Sequence, residues 1–231
     1  MAARQWLFFD FDDVLAHRSL DRSKLVGERL GILPEQARAF YADGYKDIAR
    51  FAKQAWAIRT VADEVDFYTE LFTHLGGLSG RHHSHQSLAD LAVEFVAVPF
   101  ELYDGVIETL TKLGECFELG ILSDAHATRR GAELTYLDLL SHFRVILISG
   151  EVGADKSMPL FYQDAIVAAR CKASLLRLVD NDPAPLQMSL DNGFSKGVLI
   201  GQARSDEWET ETSIKTLAAR LLLERSQELV E

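Results

Sequence analysis

Five short runs of apolar residues stand out along the chain because they are continuous rather than alternating: Gln5 to Phe9, Phe117 to Leu122, Val145 to Ile148, Leu175 to Val179 and Gly197 to Ile200. A strand buried on one face alternates apolar and polar residues, so unbroken runs predict strands covered on both faces, as in a parallel sheet between layers of helices. Arg177 is the one interruption. Between the last four runs the spacing turns helical over Thr128 to Leu140, Pro159 to Ala169 and Pro185 to Asn192, and Ile214 to Leu223 predicts a further helix against a sheet face. Strands alternating with helices predict an α/β fold, a Rossmann-like doubly wound parallel sheet.

Between the first and second runs the pattern is helical throughout. Three apolar faces recur there: Phe40, Tyr41, Ile48, Phe51, Ala55 and Trp56; Val61, Val65, Tyr68, Phe72 and Leu75; Leu88, Leu91, Ala92, Phe95 and Val96. Pro34 suits a helix start, and Gly76-Gly77 through Ser84 suits a break. The expected organisation is a discontinuous core, residues 1–16 and 100–231, interrupted by an all-helical domain at 17–99. Stripes of this kind usually pack a core. Arg50, Lys53 and Arg59 within the insert could meet an anionic substrate tail, although charged helix faces are commonly just solvated. His82, His83 and His85, with His74 nearby, read as a connecting loop rather than a zinc site.

Composition narrows the partners. The 231 residues leave room for a core plus an insert, and 48% hydrophobic content suits a globular protein. A net charge of -11 without any basic run argues against nucleic acid, which is bound through clustered Lys and Arg. No apolar stretch approaches the ~18 residues of a membrane span, so no membrane partner is expected. Cys116 and Cys171 stand at unrelated spacing, and Met1 to Phe11 lacks the features of a signal peptide, so the cytoplasm is the expected compartment. A small anionic substrate would need a metal or a lysine to offset the acidity around it.

In doubly wound sheets, ligands sit outside the carboxyl ends of the strands, and the polar residues of this chain fall there. Asp10 and Asp12 follow the first run. On a continuing strand, side chains two apart point the same way. One carboxylate could then attack an electrophile while its neighbour gives and takes a proton. A solvated turn explains such a pair equally well. Ser123 and Asp124 close the second run, as a phosphate-binding strand end or as a helix cap. Residues 150–157 resemble a P-loop only superficially, since Asp155 stands where Gly should precede Lys156. Asp180, Asn181 and Asp182 close the fourth run, where a carboxylate could reach a magnesium ion or simply sit in a turn.

Taken together, these four elements resemble the haloacid dehalogenase superfamily, which carries D-x-D after the first strand, Ser or Thr after the second, Lys after the third and acids after the fourth. The likeness extends over Tyr103 to Ala125 and Ile146 to Ile166, and the insert matches that superfamily's first cap type in placement and length. The resemblance implies a Mg²⁺-dependent phosphatase acting on a small phosphorylated metabolite: Asp10 as nucleophile, Asp12 as general acid and base, Ser123, Asp124 and Lys156 for phosphate, and Asp10, Asp12 and Asp180 for the metal. A sugar phosphomutase, a 2-haloacid dehalogenase and a catalytically decayed binding protein are the alternatives. A departing halide needs no proton, so Asp12 counts against dehalogenation. Departures from the pattern are Asp13 for Gly, Ser157 for Pro, Val179 for Gly before the fourth acid, and Pro185 where a second acid is usual.

Overall fold

The computed structural model describes residues 4–39, 58, 60–201 and 205–228. Strands β1 (Trp6–Phe9), β4 (Glu118–Ser123), β5 (Val145–Ile148), β6 (Leu176–Asp180), β7 (Lys196–Ile200) and β8 (Glu209–Glu211) form one sheet. Their order is β5-β4-β1-β6-β7-β8 and every pairing is parallel. The five apolar runs are thus strands, each within a residue or so of its expected ends. Their continuity reflects two buried faces. Leu7 and Phe9 of β1 pack with Ile121, Val179 and Val198 on one side, while Phe8 packs with Leu122, Leu178 and Leu199 on the other. Phe8 lies opposite Gly120, where a Cβ would stand 2.3 Å from the ring, so glycine makes room for the aromatic.

Three strands were not legible. The polar β8 has no apolar run, and β2 (Ala16–Arg18) and β3 (Phe100–Leu102) have three residues each. The latter two form an antiparallel ribbon, Ala16 opposite Leu102, through which the chain leaves the sheet and returns. Between them run α1 (Arg22–Leu30), α2 (Pro34–Ala39), α3 (Val61–Gly77) and α4 (His85–Ala97). Asp21, Thr60 and Ser84 cap α1, α3 and α4 with their side chains. These helices share a core of their own that includes Val26, Leu30, Phe72, Leu75, Leu91 and Phe95. All five residues of the expected third face are buried; in the second, Val61 at the start of α3 is exposed. The first expected face, Phe40 to Trp56, lies outside the described residues, as do Arg50, Lys53 and Arg59.

The remaining helices are α5 (Val106–Cys116), α6 (Ala127–Tyr136), α7 (Ser149–Val152), α8 (Pro159–Ala169), α9 (Pro183–Asp191) and α10 (Ile214–Glu228). Helix α6 stops earlier than the expected Leu140. Asp138 takes a left-handed conformation (φ 55), Leu139 N–H donates to Leu134 and Asp138 N–H to Thr135, which closes the helix as a Schellman motif. No described helix is long and apolar enough to cross a membrane.

Candidate active site

Sheet register brings the first and fourth motifs side by side. Phe9 lies opposite Val179, so Asp10 and Asp180, each one residue on, emerge next to each other, and Asp10 N–H continues the ladder to Val179 O at 2.9 Å. Between them sits Lys156, whose Nζ is 2.7 Å from Asp10 Oδ1 and donates to Asp180 Oδ2 at 2.8 Å. All three side chains are buried. Burial acts to lower the Lys156 pKa, but the carboxylates of Asp10, Asp180 and Asp124 outweigh it and raise the pKa, so the group is an ammonium. Burial pushes Asp10 up to about 7; Lys156 pulls against this, and Asp180 and Asp12 add to it.

A second set of contacts fixes the lysine from behind. The Asp124 carboxylate accepts the Lys156 backbone N–H at 3.1 Å, and burial, opposed by Lys156, pushes its pKa up to about 6. Asp124 is thus engaged with the lysine's own backbone. Tyr162 donates its hydroxyl to Lys156 O at 2.9 Å. The loop after Ser123 is clamped onto α7: Ala125 N–H donates to Ser149 Oγ at 3.0 Å, Gly150 N–H donates to Ala125 O at 3.0 Å, and a Cβ on Gly150 would meet Ala127 N at 2.7 Å. Ser123 itself is 1% exposed and its Oγ has no hydrogen-bond partner. A buried hydroxyl left unpaired is costly, and this one stands at a strand end, open to an acceptor.

Asp12 departs from the expected geometry. The strand ends at Phe9 and the chain turns through Asp13 (φ 58), whose N–H donates to Ala16 O, so Asp12 does not extend from a continuing strand. Its half-exposed carboxylate accepts Arg130 Nη2 at 2.7 Å. Arg130, 1% exposed on α6, stacks its guanidinium 3.9 Å over the Phe11 ring and reaches Glu133 at 3.2 Å. Sequence reasoning missed it, because the Arg129-Arg130 pair in a helix reads as solvated. Its i,i+4 relation to buried Leu134 was the available signal. Equally unforeseen is Glu64 of α3, fully buried against Arg129 Nε at 2.6 Å and His126 at 3.8 Å, a charged contact between insert and sheet layer.

Asp182 caps α9 by accepting Ala184 N–H, and its own N–H donates to Asp180 Oδ1. The donor set suits a hard cation: Asp10 and Asp180 are adjacent carboxylates, and Asp180 and Asp12 both raise the Asp10 pKa. Magnesium takes one or two such carboxylates and fills the rest with water and substrate oxygens. Among the described residues no group of three or more His, Cys, Asp or Glu side chains gathers as a metal cage, and the histidines at 82, 83 and 85 form none.

A family model described as haloacid dehalogenase-like hydrolase matches residues 5–174. No curated protein matches the chain. Solved structures do. A 2-haloacid dehalogenase from Pseudomonas syringae is 18% identical with TM-score 0.60, over 95% of this chain and 99% of that one. A HAD-hydrolase, YfnB from Bacillus subtilis, bound to magnesium, is 16% identical with TM-score 0.68, over 94% and 98%. A HAD phosphatase from Thermococcus onnurineus is 18% identical with TM-score 0.56, over 95% and 98%. At these identities the likeness is one of fold.

Proposed function

Because the chain belongs to the haloacid dehalogenase-like hydrolase family, we propose that it is a phosphatase that hydrolyses a small phosphorylated metabolite through an aspartyl-phosphate on Asp10. The observation that carries this reading is the unpartnered, buried Ser123 hydroxyl at the same sheet edge as the Asp10–Lys156–Asp180 cluster. An ammonium and a free hydroxyl beside a carboxylate suit a phosphoryl group, whose charge needs donors already in place.

In the proposed sequence, an Asp10 oxygen attacks phosphorus in line, the ester P–O bond breaks, and Asp12 gives its proton to the departing alkoxide. Asp12, now a carboxylate, takes a proton from water as that water attacks phosphorus. The Asp10–phosphorus bond breaks, releasing phosphate and restoring both acids. Ser123 donates to a phosphate oxygen, Lys156 offsets the charge of nucleophile and phosphate, and Asp124 positions Lys156. Mg²⁺, held by Asp10, Asp180 and the Asp12 backbone carbonyl, would supply the further positive charge that lets a phosphate dianion approach buried carboxylates.

Dehalogenation is the competing reading, motivated by the structural likeness to a 2-haloacid dehalogenase. The two separate on product. Purified protein is expected to release phosphate from phosphomonoesters with Mg²⁺ and no chloride from 2-chloropropionate. Chloride release without added metal, and no phosphate, would reverse the assignment.

A further inference from the structure

A cavity of about 580 Å³ lies between the turn after Asp12 and the inserted helices, lined by residues that include Asp13, Arg18, Arg22, Tyr68 and Phe95. The reaction proposed above gives none of these side chains a task. Arg22 stacks its guanidinium on the Phe95 ring, 4.1 Å from the centroid, and its Nη1 is buried without a hydrogen-bond partner. Arg18 stacks 3.5 Å over Phe100 and donates Nη1 to Val98 O at 2.6 Å and to Glu133 at 3.3 Å, which leaves its buried Nε unpartnered.

The two guanidiniums lie close enough for the charge of Arg22 to act on Arg18. Burial, then Arg22 and Arg129, push the Arg18 pKa down to about 9. Asp13 and Asp21 also line the cavity, and the Arg22 charge is felt at Asp13, but among the described residues neither acid hydrogen-bonds Arg18 or Arg22: Asp21 caps α1 and pairs with Arg38 at 3.1 Å, and Asp13 is hydrogen-bonded by Tyr103. The cavity borders the turn that carries Asp12: Asp13, the next residue, lines it, and the Asp12 charge is felt at Arg18.

A guanidinium fixed flat on a ring, with an N–H to spare, recognises a planar or tetrahedral anion better than a flexible ammonium does. We propose that this cavity receives a second anionic group, carried on the leaving-group half of the substrate, with Arg22 as its principal donor and Tyr68 and Phe95 lining the ring or chain that joins it to the reacting phosphate. The class is a phosphomonoester whose alcohol also bears a carboxylate or phosphate. The assignment of the leaving group rests on the phosphatase reading.

The test compares phenyl phosphate with 4-carboxyphenyl phosphate, which differ by one carboxylate. Wild-type protein should favour the carboxylated ester in kcat/KM by roughly 10- to 100-fold, the range of a charge-assisted hydrogen bond. Arg22→Met should bring the ratio near one, and Arg22→Lys, which keeps the charge, should retain part of it; melting curves verify that both fold. A ratio near one in wild type, or one unchanged in Arg22→Met, overturns the proposal. If no ester releases phosphate, the phosphatase reading falls, and benzoate titrated calorimetrically into wild type and Arg22→Met decides the cavity alone. Binding lost in the variant supports an anion site there; absent or unchanged binding overturns it.

Discussion

Replacing Lys156 by Met removes the one positive charge between two buried carboxylates while keeping the length and most of the volume of the side chain. The ammonium lies 2.7 Å from Asp10 and 2.8 Å from Asp180, and its side chain is 6% exposed. Breaking a buried pair by removing one partner typically costs ~3 to 5 kcal/mol, because the charge left behind is uncompensated. For a chain of this size that corresponds to a fall in melting temperature of roughly 6 to 20 °C. The loss should depend on pH. Lys156 is the chief influence holding the Asp10 pKa down, so in the variant that pKa rises beyond its present value of about 7. At pH 5 Asp10 holds its proton in wild type as well, so the loss there comes from Asp180, which loses its ammonium partner at either pH; at pH 8 the loss of the Asp10 pair adds to it and the penalty is larger. Differential scanning calorimetry without metal at both pH values measures this directly. A variant melting within about 2 °C of wild type at pH 8, or equally far below it at both pH values, refutes the reasoning.

Linkage extends to metal. Folded Asp10 holds its proton to about 7 against 3.8 for an ordinary aspartate, so it favours folding most below pH 3.8, and that contribution is lost as the pH rises through about 7. Mg²⁺ binding should therefore release a proton below pH 7 and strengthen about tenfold per pH unit until about 7, read by titration calorimetry in buffers of different ionisation enthalpy. No proton release at pH 6 would contradict this. Arg130→Met should lower kcat for phosphate release by ~10-fold or more with less effect on KM, because Asp12 loses the group that orients it; an unchanged kcat would show the pair to be dispensable. Gly150→Ala should lower both stability, by ~1 to 3 kcal/mol, and activity, since its Cβ would stand 2.7 Å from Ala127 N and displace the loop that follows Ser123 and carries Asp124. Wild-type melting and turnover would mean the loop yields freely.

Much of this architecture was legible because a parallel sheet covered on both faces writes itself as unbroken apolar runs, and in sheets of this kind ligands sit beyond the carboxyl ends of the strands. That placed Asp10, Ser123 and Asp180 at one edge. Lys156 followed from its position after the third run and a glycine turn. Contacts made across long sequence separations were not legible: Asp124 accepts an N–H from a residue 32 positions away, and Arg130 reaches Asp12 across 118. Buried charges escape a reading based on hydrophobicity for a plain reason, since Glu64 and Arg130 carry the same letters as solvated residues and are tolerated inside only through partners that folding supplies. The three-residue strands are too short for any periodicity to register, and the left-handed Asp138 looks like any other residue of a helical stretch.

The central claim is that Asp10 accepts the phosphoryl group. Rapid acid quench during turnover of a phosphomonoester with Mg²⁺, followed by peptide mass spectrometry, should find the peptide spanning Asp10 heavier by one phosphoryl group, and should find no such species in Asp10→Asn, which releases no phosphate. Phosphate release at the wild-type rate by Asp10→Asn would contradict the account.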